Sequence, residues 1–167
     1  DLGSGIGSTV RALQPHLAPS VRWRLVDHDA AVLREAGRRT AAETVLSDLS
    51  RDPAPIEGAA LVTASALLDL VSEAWIERLA DALEARRAPF YAALSYDGCV
   101  SFDPAHPGDQ AMIAALNADQ RTDKGFGPAL GPDGAAVLAA ALRSRGFEVR
   151  VEASPWRLGP ADGELVA

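Results

Sequence analysis

The sequence predicts an α/β fold built on a mostly parallel sheet. Two observations carry that expectation. Short β-rich runs alternate with helical stretches along most of the chain, the order that strand–helix–strand crossovers produce. One of those runs, Ala59–Ala64, is almost continuously apolar, as a strand buried on both faces reads. The 167 residues, 48% of them hydrophobic and 23% charged, suit a single domain over 1–167 with a sizeable core.

The elements follow in order. Ser8 and Thr9 open a helix with Val10, Leu13 and Leu17 on one face. Val21–Val26 is rich in β-formers and runs into Asp27-His28-Asp29, and helical residues continue from Ala30 to about Arg39. Thr44-Val45-Leu46 is a short strand ending at Ser47-Asp48, and Pro53 and Pro55 mark the loop before Ala59–Ala64. Ser72 caps a helix whose apolar face is Trp75, Ile76, Leu79 and Leu83. Phe90–Tyr96 reads as another strand. A Pro- and Gly-rich insertion at about 103–132 interrupts the alternation, with a helical piece near Gln110–Gln120. Pro132 then starts a helix that turns Val137, Leu138 and Leu142 inward, carries Arg143 and Arg145 near its end, and stops at Gly146. Phe147–Glu152 is the last expected strand. Arg38-Arg39 and Arg86-Arg87 sit at helix ends, where they complement the dipole.

The first seven residues, Asp1-Leu2-Gly3-Ser4-Gly5-Ile6-Gly7, carry the functional signal. Glycines at alternate positions let a backbone turn tightly out of a strand and approach a ligand with no Cβ in the way. The helix that follows offers unpaired N–H groups to a carboxylate or phosphate. The acid selects among ligands, because a carboxylate suits an ammonium and repels a pyrophosphate. Spacing excludes the dinucleotide fingerprint G-x-G-x-x-G: the sixth position is Ser8 counted from Gly3 and Val10 counted from Gly5. A G-x-x-x-x-G-K-[ST] phosphate loop is excluded too, since the only lysine is Lys124.

The form that fits is D-x-G-x-G-x-G, and in it the chain resembles the class I S-adenosylmethionine-dependent methyltransferases. The resemblance runs element by element from residue 1 to about 100, and the order of elements extends it to about 154. It implies a Rossmann-like, doubly wound, three-layer α/β/α domain with helices on both faces. Its first strand would lie upstream of Asp1, so the chain is expected to be part of a longer protein. It also implies that Asp1, Gly3, Ser4, Gly5 and Gly7 wrap the methionine part of S-adenosyl-L-methionine. Asp27 then matches the acid that accepts the ribose hydroxyls, with His28 beside the adenine or, equally, a solvent-facing turn residue. Asp29 is read as an N-cap. Asp48 matches an acid facing the adenine amino group, against a turn-forming role, and Leu49 supplies a backbone N–H and an apolar wall. Thr63–Asp69, with Ser65 among its small residues, aligns with the segment that runs under the cofactor toward the transferable methyl.

Methyl transfer from a sulfonium is an in-line displacement that needs positioning and exclusion of water more than covalent help. A base is required only where the nucleophile must lose a proton early. The candidates are Asp69, equally read as a cap of the approaching helix, Tyr96, against rim packing with a wet hydroxyl, and Asp97, for which Asp97-Gly98 favours a turn. Within the insertion, Arg121 and Lys124 are candidates for an acidic small-molecule acceptor, against a solvated surface loop. Trp156-Arg157 belongs to the same mouth or covers the core. A nucleic-acid acceptor is disfavoured on two counts: the net charge is −7, and no Asn/Asp-Pro-Pro-Tyr/Phe signature ends the apolar strand. No apolar run is long enough to span a membrane. Cys99 stands alone and three dispersed His give no metal-site spacing, so a reducing cytoplasm is expected. The expected activity is methyl transfer to a small-molecule oxygen, nitrogen or carbon. Its rivals are a non-catalytic module that keeps the fold, to bind cofactor or a protein partner, and a nicotinamide-dependent oxidoreductase, which the glycine spacing disfavours.

Overall fold

The computed structural model describes residues 1–52 and 55–166, with side chains through 164; Pro53, expected in a loop, lies outside them. Four short strands are present: β1 (Arg24–Asp27), β2 (Glu43–Leu46), β3 (Val62–Ser65) and β4 (Phe90–Ala93). β1 pairs with β2 and β3 with β4, both parallel, in registers that end at Asp27↔Leu46 and Ser65↔Ala93. Leu2 lies between the two pairs and bridges to Val26 on one side and Ala64 on the other. Its N–H donates to the Thr63 carbonyl at 2.8 Å, while the Val26 N–H donates to the Asp1 carbonyl at 2.9 Å. The described residues are therefore α/β, with two short parallel pairs joined across one residue.

Successive side chains of a strand point to opposite faces, and here they enter different cores. Leu25 packs with Val10 of α1 (Ser8–Leu13) and with Leu33 and Ala36 of α2 (Ala30–Thr40). Val26 joins Leu2, Val62 and Ala64 against α3 (Glu73–Arg86) and α5 (Gly134–Ser144). β2 is at an edge, which leaves Thr44 and Leu46 exposed.

The Ser72 hydroxyl caps α3, accepting from the Trp75 N–H at 3.3 Å. Trp75, Ile76, Leu79 and Leu83 recur at helical spacing and are fully buried, a burial that stabilises by about 1.5–3 kcal/mol per large apolar side chain. The indole N–H of Trp75 meets the Leu49 carbonyl at 2.7 Å, so no donor is orphaned by that burial. Arg145, just beyond α5, reaches across to α3 and donates to Glu77 and Asp81 at 2.6 Å each. Those two carboxylates hold its guanidinium even further above its ordinary range.

Three expectations change. The first helix ends at Leu13 and tightens into a 3-10 turn over Gln14–His16, where Pro15 has no N–H to continue the α ladder; Leu17 is exposed. The strand expected over Phe90–Tyr96 stops at Ala93, because Leu94 turns to φ 53. Phe147–Glu152 forms no ladder. Phe147 and Val149 pack against the core while Glu148 and Arg150 point out, so the period of two holds as far as Arg150 and ends at Val151, which is exposed. A strand also needs a neighbour, and none of the described strands pairs with this run. The Phe147 N–H is instead spent on the Leu142 carbonyl, closing the end of α5 with Gly146 at φ 80.

α4 (Asp109–Gln120) and α6 (Gly163–Val166) complete the helices. No helix among the described residues is long and apolar enough to cross a membrane. α5 approaches the loop after β3 closely at Gly134, where a Cβ would fall 2.1 Å from the Leu68 carbonyl oxygen. Alanine normally improves a helix position by about 1 kcal/mol over glycine. At Gly134 overpacking outweighs that gain, and Gly134→Ala is expected to destabilise by about 1–3 kcal/mol, read as a lower urea midpoint with unchanged slope.

Candidate functional site

Asp1, Leu2 and the glycine turn leave the sheet at the carboxyl ends of β1 and β3, the side on which Asp27 and Ser65 also end their strands. The turn is held at three points. The Ser4 N–H donates to the Val26 carbonyl at 3.0 Å. The Gly5 N–H donates to Asp27 Oδ2 at 2.9 Å. Gly7 sits at φ 78, and a Cβ there would meet Thr40 Cγ2 at 2.7 Å, so only glycine brings the turn this close to the end of α2. Asp27 is a double anchor, since Oδ1 also accepts from the Asp29 N–H at 3.1 Å and lies 3.4 Å from His28 Nδ1.

The turn carries two of the unpartnered buried oxygens among the described residues. Asp1 Oδ1 accepts from the Thr63 hydroxyl at 2.8 Å, but Asp1 Oδ2 has no donor. Ser4, only 7% exposed, has an unpartnered Oγ. Such atoms cost about 1–3 kcal/mol each when left dry. A Cβ on Gly5 would meet nothing within 4 Å, so the crest of the turn is open.

The remaining expected residues are placed as follows. His28 is exposed at the rim beside Asp27. Asp29 caps α2, accepting from the Ala31 and Val32 N–H groups, and these bonds hold its carboxyl below the usual range. Asp48 is exposed and accepts from both the N–H and the hydroxyl of Ser50, which likewise lower its pKa. Leu49 packs into the core under α3. Ser65 is half-buried at the end of β3.

Beyond β3 and β4 lie the acceptor-side candidates. Asp69 is 8% exposed, its Oδ1 has no partner, and burial pushes its pKa up. The Tyr96 hydroxyl donates to Asn117 Oδ1 at 2.7 Å, and desolvation followed by the nearby Asp97 and Cys99 pushes its pKa up, so its proton is committed. Asp97 Oδ1 accepts from the Cys99 N–H, the turn role expected of it. Arg121 is paired with Asp133 and Lys124 with Asp119, both at 2.8 Å. The two cations offered to an acidic acceptor are thus already engaged by carboxylates. Trp156 is 66% exposed and covers no core.

Five residues have parts in this region that the sequence reading did not assign to them individually. Thr63 had a visible signal, a hydroxyl inside an apolar run. Asn117 and Gln120 were visible only as polar residues on a helix. Ala66 (φ 52) and Leu94 (φ 53) had none: both follow a strand directly and take the left-handed region that side chains avoid. Strained backbone of this kind clusters where a fold re-aims residues at a site.

No protein-family model matches this chain, and no curated protein matches it.

Two outcomes follow from this geometry. Replacing Asp27 with Ala removes the acceptor of a part-buried N–H, so amide exchange at Gly5 is expected to rise at least tenfold by hydrogen-exchange NMR. The second concerns pH. Asp69 is easier to protonate in the native state than unfolded, so above about pH 4, the ordinary aspartate range, the unfolded state binds fewer protons. Its stabilising contribution is complete below that pH and is lost as pH rises through the native value. The melting temperature of Asp69→Asn relative to wild type is therefore expected to climb as pH is raised from 4.

Proposed function

We propose that this chain is a doubly wound, Rossmann-like domain that binds S-adenosylmethionine and transfers its methyl group to a small-molecule acceptor. The observation that carries the reading is the glycine turn itself. It presents an acid with one unpartnered oxygen, a buried serine hydroxyl and an open glycine crest, and Asp27 from the neighbouring strand holds it in place. The parallel pairs joined across Leu2 support the doubly wound topology, whose ligands sit beyond the carboxyl ends of the strands.

The residues present fit the group. Asp1 Oδ2 is an acceptor for the amino group of the methionine part, and the Ser4 hydroxyl can donate to its carboxylate. Gly3 and Gly5 keep side chains out of the approach. Asp27 spends two of its acceptor positions on Gly5 and Asp29 and keeps others for ribose hydroxyls. His28 and Asp48 stand at the outer rim for the adenine, with Leu49 behind Asp48 as part of the core wall. Bound there, the cofactor supplies a sulfonium-activated methyl group for in-line displacement.

The chain's own part in the reaction is placement and dryness. Ser65 and Ala66 are small and leave room beside the turn, and the β3-to-α3 loop through Asp69 closes one wall. The Tyr96 hydroxyl, donating to Asn117 Oδ1, ties the loop after β4 to α4. With the Tyr96 hydroxyl proton hydrogen-bonded to Asn117, Asp69 is the remaining base candidate, its Oδ1 unpartnered and its pKa raised by burial.

A second reading, a fold-retaining module without turnover, draws on the same commitment of the Tyr96 proton. Calorimetry separates the alternatives. S-adenosylhomocysteine is expected to bind while NADH does not, and Asp27→Ala is expected to weaken S-adenosylhomocysteine at least tenfold, about 1.4 kcal/mol. Unchanged affinity in that variant defeats the site assignment. Binding without turnover across a broad panel of amines, alcohols and carbon acids favours the module.

A further inference from the structure

A second concave region lies where α1 meets the end of α2. It is an open groove of about 350 Å³ lined by Val10, Arg11, Gln14, Pro15, Arg39 and Thr40. That volume falls within the range of about 300–1,000 Å³ that small-molecule clefts occupy. Val10, which is buried, and Pro15 supply its apolar surface. Among the described residues no carboxylate lines it, although the chain as a whole carries a net charge of −7.

The polar lining side chains hold donors in reserve. A guanidinium has five N–H groups. Arg11 spends one on the Ile6 carbonyl at 2.7 Å and one on the Ser8 hydroxyl at 3.0 Å, and meets no carboxylate among the described residues. Arg39 donates through Nε to Glu35 Oε1 at 2.6 Å, and its two terminal nitrogens make no bond among the described residues. Glu35 is also the partner of Arg38, so Arg11, Arg38 and Arg39 have one carboxylate among them. Gln14 has spent its amide oxygen on the Trp23 indole N–H at 2.7 Å and keeps its two N–H donors. Complementing the helix dipoles does not use these groups up. Arg11 reaches back to Ile6 and Arg39 bonds a side chain, so neither donates to the last carbonyls of its own helix.

The remaining polar group is committed, since the Thr40 hydroxyl donates to the Ala36 carbonyl at 2.7 Å. An ammonium ligand would meet two cations here, whereas an anion meets unspent donors from both helices. Guanidinium forks match the oxygens of carboxylates and phosphates. Two forks suit a doubly charged group, and a phosphate monoester carries about −1.5 to −2 at pH 7 with three acceptor oxygens. We propose that this groove binds a phosphate monoester with a small apolar body. Arg11, Arg39 and Gln14 hold the phosphate, and the body covers Val10 and Pro15. Arg39 keeps Glu35 on Nε, so no ion pair is exchanged for the ligand. The site does not depend on the methyl-transfer reading. It does adjoin the glycine turn, because the Arg11 guanidinium also holds Ile6 and Ser8, and Thr40 packs behind Gly7.

The test titrates the full chain with phenyl phosphate and follows ¹⁵N NMR signals. The reporters are the Thr40 amide and the Trp23 indole N–H, which is bonded to Gln14. Phenyl phosphate is expected to shift both in a saturable way. Inorganic phosphate is expected to bind more weakly because it leaves Val10 and Pro15 uncovered, and benzoate more weakly because it brings one charge. Benzylamine is expected to shift neither signal. Arg11→Gln and Arg39→Gln are each expected to weaken phenyl phosphate at least tenfold. Arg157→Gln, which removes the same charge from the exposed tail, is expected to leave the affinity unchanged. The proposal is overturned if phenyl phosphate gives no saturable shift, or if inorganic phosphate, benzoate or benzylamine binds as tightly. It is equally overturned if both groove variants keep the wild-type affinity, or if Arg157→Gln loses as much as they do. A parallel titration with S-adenosylhomocysteine keeps the two readings apart: phosphate-ester binding without it leaves this site standing and removes the methyl donor.

Discussion

One residue holds the two halves of the sheet together. Leu2 bridges to Val26 and to Ala64, and apart from it β1 with β2 and β3 with β4 are separate pairs. An isolated parallel pair is too small to persist, since parallel pairing needs both faces covered and neighbours on each side. Here the covering is divided by the pleat: Leu25 is sealed by α1 and α2, and Val26 by α3 and α5. Strand β1 thus carries one residue into each core, and the hydrogen bonds of Asp1 and Leu2 tie that strand to β3. The same residue is flanked by Asp1 and Gly3, so the element that joins the sheet is also the stem of the glycine turn.

That coupling explains why the site groups stand where they do. The Thr63 hydroxyl reaches Asp1 because both lie on the same face of adjacent strands, and it fixes one carboxylate oxygen while leaving the other free. Asp27, one strand over, holds the crest of the turn through Gly5 and the start of α2 through Asp29. The turn is therefore braced from both neighbouring strands and from Thr40 behind Gly7. Preorganisation of this kind reduces the ordering cost that a ligand otherwise meets on binding.

How much of this was legible follows from what each signal depends on. Helix α3 could be read to the residue, because Ser72 and the Trp75, Ile76, Leu79, Leu83 spacing are local. The turn and Asp27 were legible for the same reason: glycine spacing and an acid at a strand end are properties of short segments. Phe147–Glu152 misled because alternation is local and pairing is not; the period was right and the partner strand was elsewhere or nowhere among the described residues. Arg121 and Lys124 show the same limit in electrostatic form. A sequence lists charges but not their partners, and Asp133 lies twelve positions from the arginine it neutralises. Ala66 and Leu94 carried no signal at all, since neither residue type marks a left-handed backbone.

Those two ion pairs change what charge the surface can offer to a ligand. A charge satisfied at 2.8 Å by a carboxylate on its own surface gains little by exchanging that partner for a ligand of the same charge. An unpartnered buried oxygen is in the reverse position, because any donor it meets relieves a cost of about 1–3 kcal/mol that folding has already incurred. Four such atoms stand among the described residues: Asp1 Oδ2 and Ser4 Oγ in the glycine turn, Asp69 Oδ1 in the loop after β3, and Gln120 Oε1 at the end of α4. The distribution of unmet acceptors therefore marks where an incoming donor gains most, more directly than the distribution of charge does.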